Sequence, residues 1–451
     1  MDVTAKIAQF INESAYDQMP RRVIDTAKSG ILDCLAAALA GSTEESARIC
    51  TELTAEEAGR EEATIYGRDL RSSALGAAFA NGTAAHGGDF DHSFVVGGQP
   101  TAPVIPATLA LAEALGSSGK QVIEAYVTGF EVTANLALSM VAPAGDGWHA
   151  NSVFGSFGAM AACARLLGLS REQSAMAIAI TASMASGLTA NFGTMTKPLH
   201  VGFAARNGML AAKLAKAGFT ANPEALETPK GFFDSFYPGR PLDEQQIDGL
   251  GQVFAMEKHG IRFKPYPCGG LTHTAIFATI KLCEDNSIAA EAIDSITVDV
   301  PRTTYTTISF PTPETTLQAK FCMPYLVARS VIDRTVTLDS FSEAAIRDEK
   351  TLALLKKVSM RADPALESAR DGSRPATVAI RLLDGQAHEL HARFPKGSAE
   401  VPMKAEELDA KFRACARGII SNDAREQALG YLRGLETLAD IRTLAGLMKG
   451  T

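Results

Sequence analysis

The chain has 451 residues, 46% of them apolar and 21% charged, with a net charge of −8 at pH 7. That length supports two or more domains around a large buried core, and the composition is ordinary for a soluble globular protein. No Lys/Arg-rich run occurs, which argues against a nucleic-acid or anionic-membrane surface, so an anionic substrate would need cations gathered locally in a pocket.

The N-terminal Met-Asp-Val-Thr-Ala-Lys-Ile-Ala carries no basic region followed by an apolar core, so no secretory signal is expected. Residues 21–40 place Val23, Ile24, Ala27, Ile31, Leu32 and Leu35 at helical spacing, with Gly41 as a stop. Similar patterns predict helices over 72–86, 101–116, 119–141, 152–167, 171–187 and 200–217. Several are apolar nearly all round, as in Phe154-Gly-Ser-Phe-Gly-Ala-Met-Ala-Ala-Cys-Ala, and such helices are buried on several sides with small residues that permit close contacts. The texture changes after about 260. Ile296, Val298 and Val300 alternate with polar residues, and Val378, Ile380 and Leu382 do the same. Asp384-Gly385 then supplies a hairpin turn before Leu390, Ala392 and Phe394. Helices over 272–284 and 319–333 lie among these strands, and 404–448 returns to helix.

The expected architecture is mainly α: an all-helical domain from 1–260 and 404–451, plus a smaller α+β domain over 261–403. Seven cysteines are scattered without a CxxC pair, the pattern of a reducing compartment, and no apolar run reaches membrane-spanning length. A cytoplasmic protein is expected.

Three polar clusters stand out. His86-Gly-Gly-Asp-Phe-Asp-His-Ser93 ends an Ala-rich helix, and its imidazoles and carboxylates raise the question of a metal. The spacing matches no HExxH pair or EF-hand loop, and a polar helix terminus is the plainer reading. In Gly147-Trp-His-Ala-Asn-Ser152, His149 precedes a buried helix whose N-terminus would keep the imidazole neutral, unless the histidine merely caps that helix. The third, Lys264-Pro-Tyr-Pro-Cys-Gly-Gly-Leu-Thr-His273, is an irregular loop delivering His273 to a helix. A further stretch, Asn191-Phe-Gly-Thr-Met-Thr-Lys-Pro-Leu-His200, sets Lys197 just before an Ala-rich helix, where packed surroundings would lower its pKa toward acid–base use. Tyr325, in Ala319-Lys-Phe-Cys-Met-Pro-Tyr325, starts or continues another helix and fits a core position equally well. A Walker A loop, a strand-linked GxGxxG and a GxSxG elbow are all missing, so proton chemistry on side chains is what remains.

With Asn81–Ser93, Gly147-Trp-His149, Thr194–His200, Lys264–Cys268 with His273, and Ala319–Tyr325 in this order, the sequence resembles the MmgE/PrpD family. That family includes 2-methylcitrate dehydratase, cis-aconitate decarboxylase and iminodisuccinate epimerase. The resemblance implies a large helical domain built from both chain ends, a smaller α+β lid domain and a homodimer. It also implies a small di- or tricarboxylate substrate and no metal, nucleotide or iron–sulfur cluster. Carried over by position, the implied site residues are Asp89, Ser93, His149, Lys197, His273 and Tyr325.

Two departures bear on the reaction. Gln99-Pro100 stands where cis-aconitate decarboxylases of the family have His-Pro, and glutamine can hydrogen-bond a carboxylate but cannot shuttle a proton. Ala144 stands where the epimerase-like members have a tyrosine. The expected chemistry is proton abstraction alpha to a carboxylate, with Lys197 and His149 as the acid–base pair. Lys264, His273 and His200 would help hold the substrate, Ser93 and Gln99 would donate hydrogen bonds, Asp89 would orient a base or, if buried and protonated, donate a proton, and Tyr325 would protonate a leaving hydroxyl or a carbanion. Dehydration of a 2-methylcitrate-like substrate is the reading adopted, with an amino- or imino-dicarboxylate epimerase as the alternative. Cis-aconitate decarboxylation and a non-catalytic carboxylate-binding dimer rank below both.

Overall fold

A computed structural model describes residues 2–96, 98–140, 147–308, 310–367 and 373–451. The chain divides into two units, Met1–Ile261 with Lys404–Thr451, and Arg262–Met403.

The larger unit contains α1 (Val3–Glu13), α2 (Arg21–Gly41), α3 (Glu45–Glu56), α4 (Ala74–Gly87), α5 (Thr101–Leu115), α6 (Gly119–Ser139), α7 (Ala150–Leu167), α8 (Arg171–Met184) and α9 (Thr196–Lys216). A short antiparallel hairpin, β1 (Ala63–Ile65) and β2 (Leu70–Ser72), interrupts the helices. This hairpin and the helices α1 and α3 lie outside the stretches the sequence patterns marked. At the centre is α7, packed against α5, α6, α8 and α9. Every residue from Asn151 to Ala164 is buried, as expected for a helix apolar all round.

Small residues set the packing distances. Gly41 ends α2 as expected, and it also allows a close approach: a Cβ there would lie 1.9 Å from the Ala84 carbonyl oxygen of α4. The helix expected from 200 begins four residues earlier, at Thr196. Pro198 falls in its first turn, where its missing N–H would have had no intrahelical acceptor. Lys197 is therefore inside the helix rather than before it.

The smaller unit centres on a four-stranded sheet in the order β4-β3-β5-β6, from β3 (Ile293–Val300), β4 (Val358–Ala362), β5 (Ala376–Leu382) and β6 (Ala387–Ala392). The alternation of Ile296, Val298 and Val300 against Val378 and Ile380 sets one buried face. β3 pairs antiparallel with β5 and parallel with β4. Phe394, expected on the returning strand, lies beyond the end of β6. Helix α10 (His273–Asp285) packs on β5 and β6 and against α11 (Met323–Asp333). The single helix expected over 319–333 is two pieces, because Pro324 opens α11 in its first turn.

One buried acid in the larger unit gives the fold a pH dependence. Glu131 of α6 accepts the backbone N–H groups of Ala255 and Met256 at 2.7 and 2.9 Å. Burial pushes its carboxyl up to about 7, against the lowering effect of those hydrogen bonds. A carboxyl raised in the folded state holds its proton after the unfolded chain has lost its own, so stability falls as pH rises from about 4.5 to about 7 and then levels. The stability difference between wild type and Glu131→Gln should change by about 3 kcal/mol across that window. Urea denaturation at stepped pH checks this; parallel curves for the two proteins would contradict it.

Candidate functional site

The loop after α4 is fixed by a fully buried carboxylate. Asp33 of α2 accepts the His92 backbone N–H at 3.2 Å and pairs with His92 Nδ1 at 2.9 Å. From the far end of the chain, Lys411 donates to its other oxygen at 2.6 Å and to the Phe90 carbonyl at 2.8 Å. The Lys411 ammonium also lies 3.9 Å from the centroid of the Phe90 ring. His92 Nε2 continues to Thr101 Oγ1 at 2.6 Å, and Thr101 to the Tyr126 hydroxyl at 2.7 Å. Burial alone would raise the Asp33 carboxyl; Lys411's charge and the His92 hydrogen bond outweigh it, so the group stays ionised.

With the loop held at Phe90 and His92, Asp89 adopts a left-handed backbone, φ 52°, which aspartate tolerates better than most residues. Its carboxylate accepts a hydrogen bond from Lys197 Nζ at 2.9 Å. The Thr194 hydroxyl receives the Thr196 N–H at the start of α9, and the first turn of that helix presents Lys197. The lowered lysine pKa expected from the sequence is corrected here. Burial does pull it down, but the charge and hydrogen bond of Asp89, with Asp91 behind, prevail and hold Lys197 above its ordinary value. Lys197 is an ammonium ion and not a resting base.

His149 stands beside this pair. Residues 147–149 run antiparallel to 187–189: His149 N–H donates to Gly187 and Thr189 N–H to Gly147, both at 2.9 Å, with Trp148 bridged to Leu188. His149 occupies the N-cap position of α7 without any side-chain capping bond, which removes the simple capping alternative. Its Nδ1 meets His200 Nδ1 at 3.1 Å, one ring donating and the other accepting. Burial first, then the charges of His86, Lys197 and His200, bring His149 down to about 2. His200 is lowered too, by burial and then by His86. With Nδ1 occupied by His200, Nε2 is the nitrogen of His149 left for chemistry. Phe192 closes this corner, its ring centroid 4.9 Å from that of His149 and 5.9 Å from Lys197 Nζ.

Gln99 is docked by Asn151, which the sequence reading passed over although it lies two residues after His149. Asn151 Oδ1 accepts the Gln99 backbone N–H at 2.5 Å, and its amide donates to Gln99 Oε1 at 2.6 Å. The turn needs Gly98, at φ 77°, where a Cβ would sit 1.8 Å from Asn151 Oδ1. Since the Gln99 carbonyl is committed to Asn151, its NH₂ remains as a donor. Ser93 is buried where the loop ends. Position 144 lies outside the described residues.

In the smaller unit, Lys264 and His273 are both buried, and His273 Nε2 lies 3.2 Å from the Cys268 carbonyl oxygen and edge-on to Tyr266. Tyr325 belongs to that unit's hydrophobic core. It has no exposed surface, its hydroxyl donates to the Ser340 carbonyl, and burial pushes it up to about 12. Here the Tyr325 proton, expected to act as a donor, is held by the Ser340 carbonyl. Cys268 is likewise buried, its thiol 3.4 Å from the Thr272 hydroxyl. Among the described residues, no three His, Cys, Asp or Glu side chains are grouped so as to hold a metal ion, and no helix is long and apolar enough to cross a membrane.

Two family models match the chain, the MmgE/PrpD N-terminal domain over residues 5–245 and the MmgE/PrpD C-terminal domain over 266–436. The chain belongs to the MmgE/PrpD family. Its similarity to named members extends along the whole chain. It is 30% identical to the cis-aconitate decarboxylase of Homo sapiens over 99% of this chain and 95% of that protein. Against the Mus musculus cis-aconitate decarboxylase the identity is 29%, over 99% and 93%. For the Aspergillus terreus cis-aconitate decarboxylase it is 26%, over 99% and 96%.

The loop that carries Asp89 depends on a paired buried charge. Lys411→Met, which leaves Asp33 without its cation, should cost about 3–5 kcal/mol of stability. The double variant Asp33→Asn/Lys411→Met should recover much of that loss, because neither charge is then stranded. Urea midpoints of the three proteins check this, and a Lys411→Met loss below about 1 kcal/mol would contradict it.

Proposed function

We propose that this protein is a lyase acting on a small tricarboxylate by proton abstraction alpha to a carboxylate, and that its reaction is dehydration of a hydroxy acid of the 2-methylcitrate type. The observation that carries this reading is the buried His149 imidazole, bonded through Nδ1 to His200, beside the Lys197–Asp89 ion pair. A proton on carbon alpha to a carboxylate is weakly acidic, so its removal needs both a base and stabilisation of the charge that builds on the carboxylate. His149 Nε2 takes the proton, and because burial disfavours its imidazolium, the ring rests as a free base. The Lys197 ammonium neutralises the second negative charge developing on the carboxylate. The amide of Gln99 donates to another carboxylate.

Dehydration is favoured because a base and a fixed cation are what a β-elimination of water uses, and because Gln99 supplies no ionisable group at its position. Decarboxylation of cis-aconitate is the second reading, supported by the similarity to the cis-aconitate decarboxylases over 99% of the chain.

Proton NMR in deuterated water with 2-methylcitrate, citrate, cis-aconitate and the iminodisuccinate stereoisomers separates these outcomes. Loss of water with formation of an alkene supports dehydration. Loss of carbon dioxide from cis-aconitate makes the protein a decarboxylase, and deuterium uptake with inversion alone makes it an epimerase. Lys197→Ala and His149→Ala should each lower turnover by about 10²–10⁴-fold; full turnover in either variant removes the assignment.

A further inference from the structure

An elimination of water needs a proton for the departing hydroxyl, and the Tyr325 hydroxyl already gives its proton to the Ser340 carbonyl. One buried imidazole is not used by the arrangement above. His86, in the last turn of α4, is 1% exposed, and its Nδ1 lies 2.9 Å from Asp91 Oδ2. Its ring centroid is 5.7 Å from that of His149. Among the described residues its Nε2 is buried and makes no hydrogen bond. A buried polar nitrogen left without a partner is costly, so a ring held this way needs a reason. With Nδ1 committed to a carboxylate, the ring's orientation is fixed and Nε2 is the nitrogen left to gain or lose a proton. Asp91 itself stands two residues from Asp89 and one from His92, on the loop that Asp33 and Lys411 hold, so the dyad and the Lys197–Asp89 pair share one support.

We propose that His86, oriented by Asp91, is the second proton-handling residue of this site, and that its Nε2 meets the substrate's hydroxyl oxygen and protonates it as it leaves. The proposal rests on the dehydration reading. His149 Nε2 takes the proton from carbon, that electron pair becomes the new C=C bond, and the C–O bond breaks. The hydroxyl leaves as water with the proton from His86 Nε2–H. For this step His86 enters as the imidazolium, with Nδ1–H on Asp91; it ends neutral and His149 ends protonated, and exchange with solvent restores both. The same Nε2 in its neutral form receives the proton back from water in the hydration direction. A hydroxy acid is thereby distinguished from its deoxy analogue, because only the former satisfies the open nitrogen.

The test uses the full-length protein and its His86→Gln variant, with circular dichroism to confirm that both are folded. Solvent-deuterium exchange at the alpha carbon reads the His149 step, and alkene formation reads the complete reaction. Expected for His86→Gln is exchange within about threefold of wild type, with water elimination slowed about 10²–10⁴-fold. A substrate with fluoride in place of the hydroxyl, whose leaving group needs no proton, should restore the variant to within about tenfold of wild type. Elimination unchanged in His86→Gln, or exchange and both eliminations lost together, overturns the proposal. An Asp91→Asn variant that fails in elimination only adds support, because it keeps the imidazole and removes its orientation. If wild type neither exchanges nor eliminates with any hydroxy tricarboxylate, the dehydration reading fails. His86 is then judged by the ¹⁵N resonance of its Nε2 in histidine-labelled protein saturated with citrate. No shift overturns the contact, and a shift supports it.

Discussion

The structure of the site depends on one buried charge. Asp33 sits within α2 with no exposed surface, and two anchors of the loop from 88 to 93 meet at its oxygens: the His92 ring and backbone on one, Lys411 on the other. An ionised carboxylate in an apolar interior is stable only when paired and hydrogen-bonded on both oxygens. That condition recruits a cation from a helix 378 residues away in sequence. It ties the C-terminal segment to the N-terminal helices, and it leaves the residues on either side of the anchors with little freedom. Asp89 is set in a left-handed turn and Asp91 is set against His86. Two carboxylates are thus aimed by a third that does no chemistry.

Charge is then sorted over short distances. Lys197 is kept cationic by Asp89, while His149 and His200 are kept neutral by burial, and each effect reinforces the other because a fixed ammonium ion further disfavours an imidazolium beside it. The amine is much the stronger base of the two, so the proton stays on Lys197. Here their roles are separated by partners: Lys197 has a carboxylate, and His149 has a second imidazole through Nδ1. The arrangement costs stability, since groups that would prefer water are held out of it, and it makes sense where a proton must be taken from carbon next to a carboxylate.

Much of this was legible in the sequence. The Ala/Gly-rich helices were, because an all-apolar surface has only one stable place, the centre of a bundle. The change to alternation near 260 was, because period 2 fits only strands. The clusters around Asp89, His149 and Lys197 were visible as unusual groupings of titratable residues in apolar surroundings. Partnership was not. Nothing at Lys411 marks it as the counter-ion of Asp33, and a lysine near a helix start reads as depressed until the carboxylate beside it is known. Tyr325 reads as well as an acid as it does as core, and only the Ser340 carbonyl decides. The edge strand β4 escaped notice because Val358-Ser-Met-Arg-Ala is half-exposed and carries no clear alternation. Gly41 read only as punctuation, because spacing does not report what lies across a helix interface.

The account rests on His149 being a neutral base next to a cationic Lys197, and the most direct test of that is the charge state of His149 itself. Histidine-selective ¹⁵N NMR of the intact protein, with His149 assigned by a His149→Asn variant, would be followed from pH 5 to pH 8. The account requires a ring with one protonated and one bare nitrogen throughout, with no titration in that range. A titration of His149 with a midpoint near its ordinary value of about 6.5 would contradict it.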